Sequence, residues 1–300
     1  LMKVLLTGSA GQLGQALLAS KPEQVDLIPT SRGGGQDLLA LDLADPDACR
    51  DMVREYRPDW VLNAGAYTAV DQAESEPDVA HAVNAVAPRA FGEALLETDG
   101  RLLQLSTDFV FNGQQGCPYR VEQSRDPLGI YGQSKAEGEA AVEQLLVGSG
   151  KGTILRTSWV YGPAGRNFLL TMIRLHREQK QLKVVSDQVG CPTSTCSLAM
   201  ACWTLVDWDS KAYLPSWLHW SDAGVASWYD FAVAIGELAY SRGVIERAAE
   251  VIPITSAEYP TAAQRPSYSL LDCTDTRQGL GLSAEHWRHA LESVIADVEI

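Results

Sequence analysis

The fold is decided by Val4-Leu5-Leu6-Thr7-Gly8-Ser9-Ala10-Gly11-Gln12-Leu13-Gly14. A short aliphatic run passes directly into three glycines spaced three apart, and Gln12-Leu13 opens a helical pattern among them. A chain turning this tightly from strand to helix needs positive φ. A backbone without side chains also lets a phosphate reach the free N–H groups and partial positive charge of the helix N-terminus. Gly8, Gly11, Gln12, Leu13 and Gly14 are therefore expected to cradle a dinucleotide pyrophosphate. A glycine-rich connection with no ligand is the plainer alternative. The N-terminal position, the strand before and the helix after decide against it.

Outward from that turn, short apolar runs alternate with helical patterns. The runs are Val25 to Ile28, Trp60 to Leu62, Leu102 to Leu105 and Thr153 to Leu155. They barely alternate in polarity, as strands buried on both faces do. Between them Pro46 to Tyr56, Glu76 to Glu97 and Tyr131 to Leu146 repeat apolar residues three or four apart, the helical period. The expected fold class is α/β, a Rossmann doubly wound parallel sheet with a smaller C-terminal α/β substrate domain. Residues 1–160 are expected to form the NAD(P)-binding domain and 161–300 mainly the substrate-binding domain, because the character of the chain changes after Tyr161-Gly162-Pro163. A late strand near 217–222 is expected to return to the main sheet, making the boundary discontinuous.

The 300 residues are 46% hydrophobic and 21% charged, enough for a full core. A net charge of -14 argues against a nucleic-acid partner, which needs clustered Lys and Arg. The six cysteines form no CxxC pair and no zinc spacing. No stretch approaches the ~20 apolar residues of a membrane span, and the N-terminus enters a strand without a signal-peptide layout. A cytoplasmic protein with no membrane partner is the simplest expectation. Monomer and homodimer both stay open.

The second strand ends in Pro29-Thr30-Ser31-Arg32, where a cofactor with a free ribose 2′-hydroxyl would meet an acid. Ser31 and Arg32 suit a 2′-phosphate instead, so NADPH is favoured over NADH. The alternative for Arg32 is an ordinary solvated loop charge. Asp42-Leu43 is placed to touch the adenine, and Ala64-Gly65-Ala66 to line the far side of the cofactor.

Tyr131-Gly132-Gln133-Ser134-Lys135 sets Tyr and Lys four apart at a helix start, on one face. A ketone that accepts hydride needs a proton donor, and a neighbouring cation brings a tyrosine into range for that task. Alone, this spacing more often marks a surface helix. Its company is Leu105-Ser106-Thr107-Asp108, which closes a strand at the carboxyl end of the sheet and offers a hydroxyl, Ser106 or Thr107, to the substrate carbonyl.

Further segments complete the pattern: Asn63-Ala64-Gly65-Ala66-Tyr67-Thr68-Ala69-Val70-Asp71-Gln72-Ala73-Glu74, Arg156-Thr157-Ser158-Trp159-Val160-Tyr161-Gly162, Asp187-Gln188-Val189-Gly190-Cys191-Pro192-Thr193 and Tyr259-Pro260-Thr261-Ala262-Ala263-Gln264-Arg265-Pro266. With these the chain resembles, nearly end to end, the dTDP-4-dehydrorhamnose reductase family of the extended short-chain dehydrogenases. The resemblance implies reduction of a dTDP-keto-sugar at C4 by NAD(P)H, with Tyr131 as proton donor, Lys135 assisting it and Thr107 polarising the ketone beside Asp108. It also implies that Trp159 lies against the sugar, that Asn167, Phe168 and Arg265 belong to the nucleotide-sugar side, and that Thr68 and Asp71 sit near the floor of the site. Some members bridge a dimer with Mg²⁺ through two glutamates. Ala16 and Cys196 stand at those positions, so no metal is carried over. Phe109 stands where the family more often has Tyr.

Two rivals are defined by the same residues. Nucleotide-sugar dehydratases and epimerases share the Tyr/Lys pair, but dehydratases resembling this chain carry Asp-Glu after the strand-end Thr, where Asp108-Phe109 stands here. A non-catalytic NADP-binding subunit, of the kind that partners methionine adenosyltransferase, would not need the intact Thr107, Tyr131 and Lys135.

Overall fold

The computed structural model describes residues 1–207 and 215–298. β1 (Met2–Thr7) leads through the glycine turn into α1 (Gln12–Ala19), followed by β2 (Val25–Ser31) and β3 (Leu39–Ala40). α2 (Pro46–Tyr56) starts where Asp45 accepts hydrogen bonds from Asp47 N and Ala48 N, with Pro46 in the first turn. Then come β4 (Trp60–Asn63), α3 (Val70–Ala73), α4 (Pro77–His81), α5 (Ala87–Thr98), β5 (Arg101–Thr107), α6 (Ile130–Leu146) and β6 (Gly152–Thr157).

The sequence pattern from Glu76 to Glu97 reads as one regular helix. The structure instead joins α4 to α5 through a π-helical turn, Ala82–Val86. The bulge turns Asn84 inward, where its Nδ2 donates to Tyr67 O and to Ser134 Oγ, both at 3.0 Å. Two polar segments are thereby tied to the helix bearing Tyr131 and Lys135. Such bulges concentrate near functional sites.

The second half contributes β7 (Val160–Tyr161), α7 (Phe168–Glu178), β8 (Gln181–Val185), β9 (Val189–Gly190), β10 (Thr193–Ser194), α8 (Thr195–Val206) and β11 (Trp217–His219). β12 (Ala226–Ser227), α9 (Trp228–Ser241), β13 (Glu250–Ile254), α10 (Thr274–Leu280) and α11 (Trp287–Ala296) follow. Among the described residues seven strands form one parallel sheet, in the order β11-β6-β5-β4-β1-β2-β3. The order reverses between β1 and β4, which opens a crevice at their carboxyl ends.

Alternating residues of each strand feed opposite cores. Leu5, Val61, Leu102 and Ile154 pack with Phe91, Leu95 and Val142 on one face. Val4, Leu6, Leu62, Leu103 and Leu155 pack with Leu17, Leu198 and Cys202 on the other. Burying one such aliphatic side chain contributes about 1.5–3 kcal/mol, so the continuous apolar runs are what hold the sheet between its helices. α8 is apolar nearly all round, with Leu198, Ala201, Cys202, Trp203 and Leu205 buried, and it packs on the main sheet although it follows residue 161. A separate core of Tyr161, Leu169, Ile173, Phe231, Ile235 and Leu291 unites α7, α9 and α11.

Candidate active site

The glycine turn is built as its sequence demands. Gly8 sits at φ +68, and a Cβ there would meet Gly65 Cα at 2.6 Å. A Cβ at Gly14 would lie 2.2 Å from Gly8 O, so α1 packs directly on the turn. Gly11 caps α1 with extended backbone, and its N–H donates to Gly8 O at 2.9 Å.

Beneath the turn runs a buried polar chain across three strands. Thr7 Oγ1 donates to Asn63 Oδ1 at 2.6 Å and accepts from Gly65 N at 3.0 Å. Asn63 Nδ2 donates to Gln104 Oε1 at 2.7 Å, and Gln104 Nε2 donates to Leu105 O at 2.8 Å. Lys135 Nζ donates to that same carbonyl at 2.7 Å. The parallel register, Thr7 opposite Asn63 and Asn63 opposite Gln104, makes the chain possible.

Above it lies a cavity of about 370 Å³. Gly8, Gly11, Gln12, Leu13, Gly14, Arg32, Asp42, Leu43, Ala64, Gly65, Ala66, Thr68, Tyr131 and Lys135 all line it. Ser31 is outside that lining, and its Oγ donates back to Gly34 O at 3.1 Å. Arg32 is 76% exposed and 4.0 Å from Asp42. Two buried hydroxyls in the lining, Ser106 Oγ and Thr157 Oγ1, have no hydrogen-bond partner within the chain. A side-chain-free turn at a helix N-terminus and two unpartnered donors fit an elongated polar ligand such as a dinucleotide.

Next to Ser106 of that lining, β5 stops at Thr107, whose Oγ1 donates to Asp108 Oδ1 at 3.0 Å and accepts from Phe109 N at 3.2 Å. Tyr131 stands against Thr107, and the ring of Phe109 meets the Tyr131 ring edge-on at 5.5 Å. Burial pushes the Tyr131 phenol up to about 12, while the neighbouring Thr107 hydroxyl pulls the other way. Burial lowers Lys135 to about 8, opposed by Glu139. Asp108 rises to about 6, mainly through burial. A protonated phenol beside a hydroxyl and a buried ammonium can donate to a carbonyl oxygen and stabilise the charge that grows on it.

Of the remaining expected residues, Asp71, Phe168 and Arg265 line a second cavity of about 560 Å³ with Lys183, Trp228 and Tyr259 among others, and Trp159 and Asn167 are not in its lining. Arg265 pairs with Asp71 through Nη1–Oδ1 at 3.0 Å and Nη2–Oδ2 at 2.7 Å. Asn167 caps α7 by accepting from Leu170 N, and its Nδ2 donates to Gln12 Oε1 at 3.1 Å. That amide therefore ties α7 to the glycine turn. Trp159 adopts φ +47, a region costly for a bulky residue, and its ring stacks on Trp228.

Sequence reasoning missed Trp228, Thr157, Gln104 and Glu139. Only Trp228 left a usable signal: Ser227 and Asp230 form a capping box that places it at the first position of a helix. Ala16 is partly buried on α1 and Cys196 is exposed on α8. Among the described residues no group of three or more His, Cys, Asp or Glu could hold a metal ion.

The family model described as RmlD substrate binding domain matches residues 2–300. A dTDP-4-dehydrorhamnose reductase of Aggregatibacter actinomycetemcomitans is 37% identical, over 99% of both chains. A crystal structure of a dTDP-4-dehydrorhamnose reductase from Clostridium acetobutylicum is 37% identical, with a TM-score of 0.87 over 98% of this chain and 99% of that one. That of Bacillus anthracis, in complex with NADP, is 34% identical, with a TM-score of 0.88 over 99% of both. From the glycine turn to the last helix, the chain belongs to the dTDP-4-dehydrorhamnose reductase family, which carries the RmlD substrate binding domain.

Proposed function

We propose that this chain reduces dTDP-4-dehydro-L-rhamnose to dTDP-L-rhamnose, with NADPH as the reductant. The observation that carries the reading is a cavity lined by the glycine turn together with Tyr131 and Lys135, with Thr107 beside Tyr131. Gly8, Gly11 and Gly14 would hold the pyrophosphate, and Arg32 the 2′-phosphate. When bound, the nicotinamide cofactor supplies the hydride.

The chain's own residues do the rest. Thr107 orients the ketone oxygen, Tyr131 gives it a proton, and Lys135 favours the transfer with its charge. The second cavity suits the nucleotide sugar: Phe168, Trp228 and Tyr259 offer aromatic faces to a base or sugar, and Lys183 and Arg265 offer cations to a diphosphate. Those local cations offset the global charge of -14. The absence of a Glu after Asp108 favours plain reduction over dehydration. The proposed setting is the cytoplasm, which suits six free cysteines. Among the described residues no helix is long and apolar enough to cross a membrane.

The test follows NADPH absorbance as the purified protein meets dTDP-4-dehydro-L-rhamnose. Oxidation in proportion to sugar reduced supports the reading. NADPH binding without oxidation overturns it and points to the non-catalytic subunit.

A further inference from the structure

Glu139 is completely buried, and the proton transfer described above does not use it. It follows Lys135 by four residues on α6, so both side chains leave the same face of the helix. Its carboxylate is gripped by Arg156, with Nε–Oε1 and Nη2–Oε2 both at 2.8 Å, while Arg125 Nη1 lies 3.7 Å from Oε2. Arg156 is itself 2% exposed and is held in turn: Nη1 donates to Val121 O at 3.1 Å, and the guanidinium packs over Phe111 and Trp217.

Such a pair needs a reason to exist. Removing two charges from water costs about as much as their attraction returns, and apolar residues of similar volume often stabilise a fold as well or better. Stability therefore does not account for an acid on this face, one turn from the buried ammonium at the reaction centre. We propose that Glu139 is a positioning residue for the reduction, a fixed buried anion one helical turn from Lys135 that keeps its ammonium protonated, so that Tyr131 works beside a full positive charge.

The surroundings support that assignment. Arg156 from β6 and Arg125 from the loop before α6 face Glu139, His219 from β11 faces Arg156, Tyr131 shares the cavity lining with Lys135, and Asp108 after β5 lies near Tyr131. Asn84 reaches Ser134 on that helix from the π-helical turn and carries no charge. Burial and the Arg156 charge hold His219 neutral, down at about 3, so it adds no cation. Burial is what pulls Lys135 down, and Glu139 is the charge that opposes it. Without that anion, Lys135 gives up its proton at a lower pH, and the alkaline limb of the reaction moves down with it.

The inference rests on the reading of Tyr131 and Lys135 as the proton-delivering pair, and one experiment separates the two. The pH profile of kcat/KM for dTDP-4-dehydro-L-rhamnose is measured on the full chain, on Glu139→Gln and on Lys135→Met. The same profile is run on the double variant Glu139→Leu/Arg156→Met, which removes both members of the buried pair together if the single variant fails to fold. The expected result is an alkaline limb about one pH unit or more lower in the Glu139 variants, with acid-side activity changed only a few-fold. Superimposed limbs in the wild type and the folded Glu139 variants, with Lys135→Met inactive, overturn the role of Glu139 alone. A Lys135→Met variant with wild-type rate and profile overturns the reading of the site, and the inference with it.

Discussion

The rings of Trp159 and Trp228 lie 3.6 Å apart, centroid to centroid, and within 9° of parallel. One face of Trp159 is thus covered by the first residue of α9, and its ring edge rests on Gly190, where an added Cβ would meet ring atoms at 2.8–3.0 Å. This contact holds a tryptophan whose backbone is strained at φ +47. Trp228→Ala removes the support. An aromatic pair contributes about 0.5–1.5 kcal/mol beyond its buried area, so KM for the sugar nucleotide should rise about three- to tenfold with a smaller change in kcat. Trp228→Phe should recover most of the loss. Steady-state kinetics on both variants check it, and an unchanged KM in Trp228→Ala would show that Trp159 keeps its place unaided.

Tyr131→Phe keeps the edge contact with Phe109 and deletes only the phenolic oxygen. Turnover should fall about 10²–10⁴-fold, while NADPH affinity stays within a few-fold of wild type. A normal rate would remove Tyr131 from the proton path.

Arg32 and Ser31 are expected to act together on a 2′-phosphate, and the structure gives their side chains different partners. Arg32 lines the cavity while the Ser31 hydroxyl is committed to Gly34 O. Arg32→Ala should weaken NADPH about tenfold and leave NADH nearly unchanged, the side chain's exposure keeping the effect modest. Ser31→Ala should change neither. Titration of both nucleotides against both variants decides it, and equal losses of NADPH affinity would show that Ser31 and Arg32 hold the 2′-phosphate together.

His219 is fully buried against Arg156 and the Phe111 ring. Burial, aided by the Arg156 charge, drops its pKa from 6.5 to about 3. A group with a depressed folded pKa contributes stability that is present above its unfolded value and is lost as pH falls. The window is therefore from about 6.5 down to about 3. Across it His219 should cost the fold a few kcal/mol. Melting temperature measured against pH should fall less steeply for His219→Gln than for the wild type, and parallel slopes would refute the account.

Much of the fold was legible because its signals are local. A parallel sheet covered on both faces needs continuous aliphatic runs, a strand-to-helix phosphate turn needs glycine at fixed offsets, and a Tyr/Lys pair needs helical spacing. Each requirement is met within a dozen residues, so the main sheet, the glycine turn and the helix carrying Tyr131 could be read from the chain itself. The resemblance of the later segments named the family for the same reason, since those motifs are contiguous.

What only the tertiary structure decided is every relationship between residues far apart in the chain. Leu105 O accepts from Lys135, Glu139 meets Arg156, Trp159 lies on Trp228, and Arg265 reaches back to Asp71. None leaves a periodicity or a spacing, because each arises where strand register and helix packing bring separate segments together. The same holds for the π-helical turn at Asn84, which local pattern reads as plain helix and which exists because a buried amide satisfies Tyr67 and Ser134 at once. Sequence by itself determined the sheet, the cofactor turn and the chemistry available to the site. The pairing of distant polar groups in a dry interior, which no local preference encodes, decided how that chemistry is held in place.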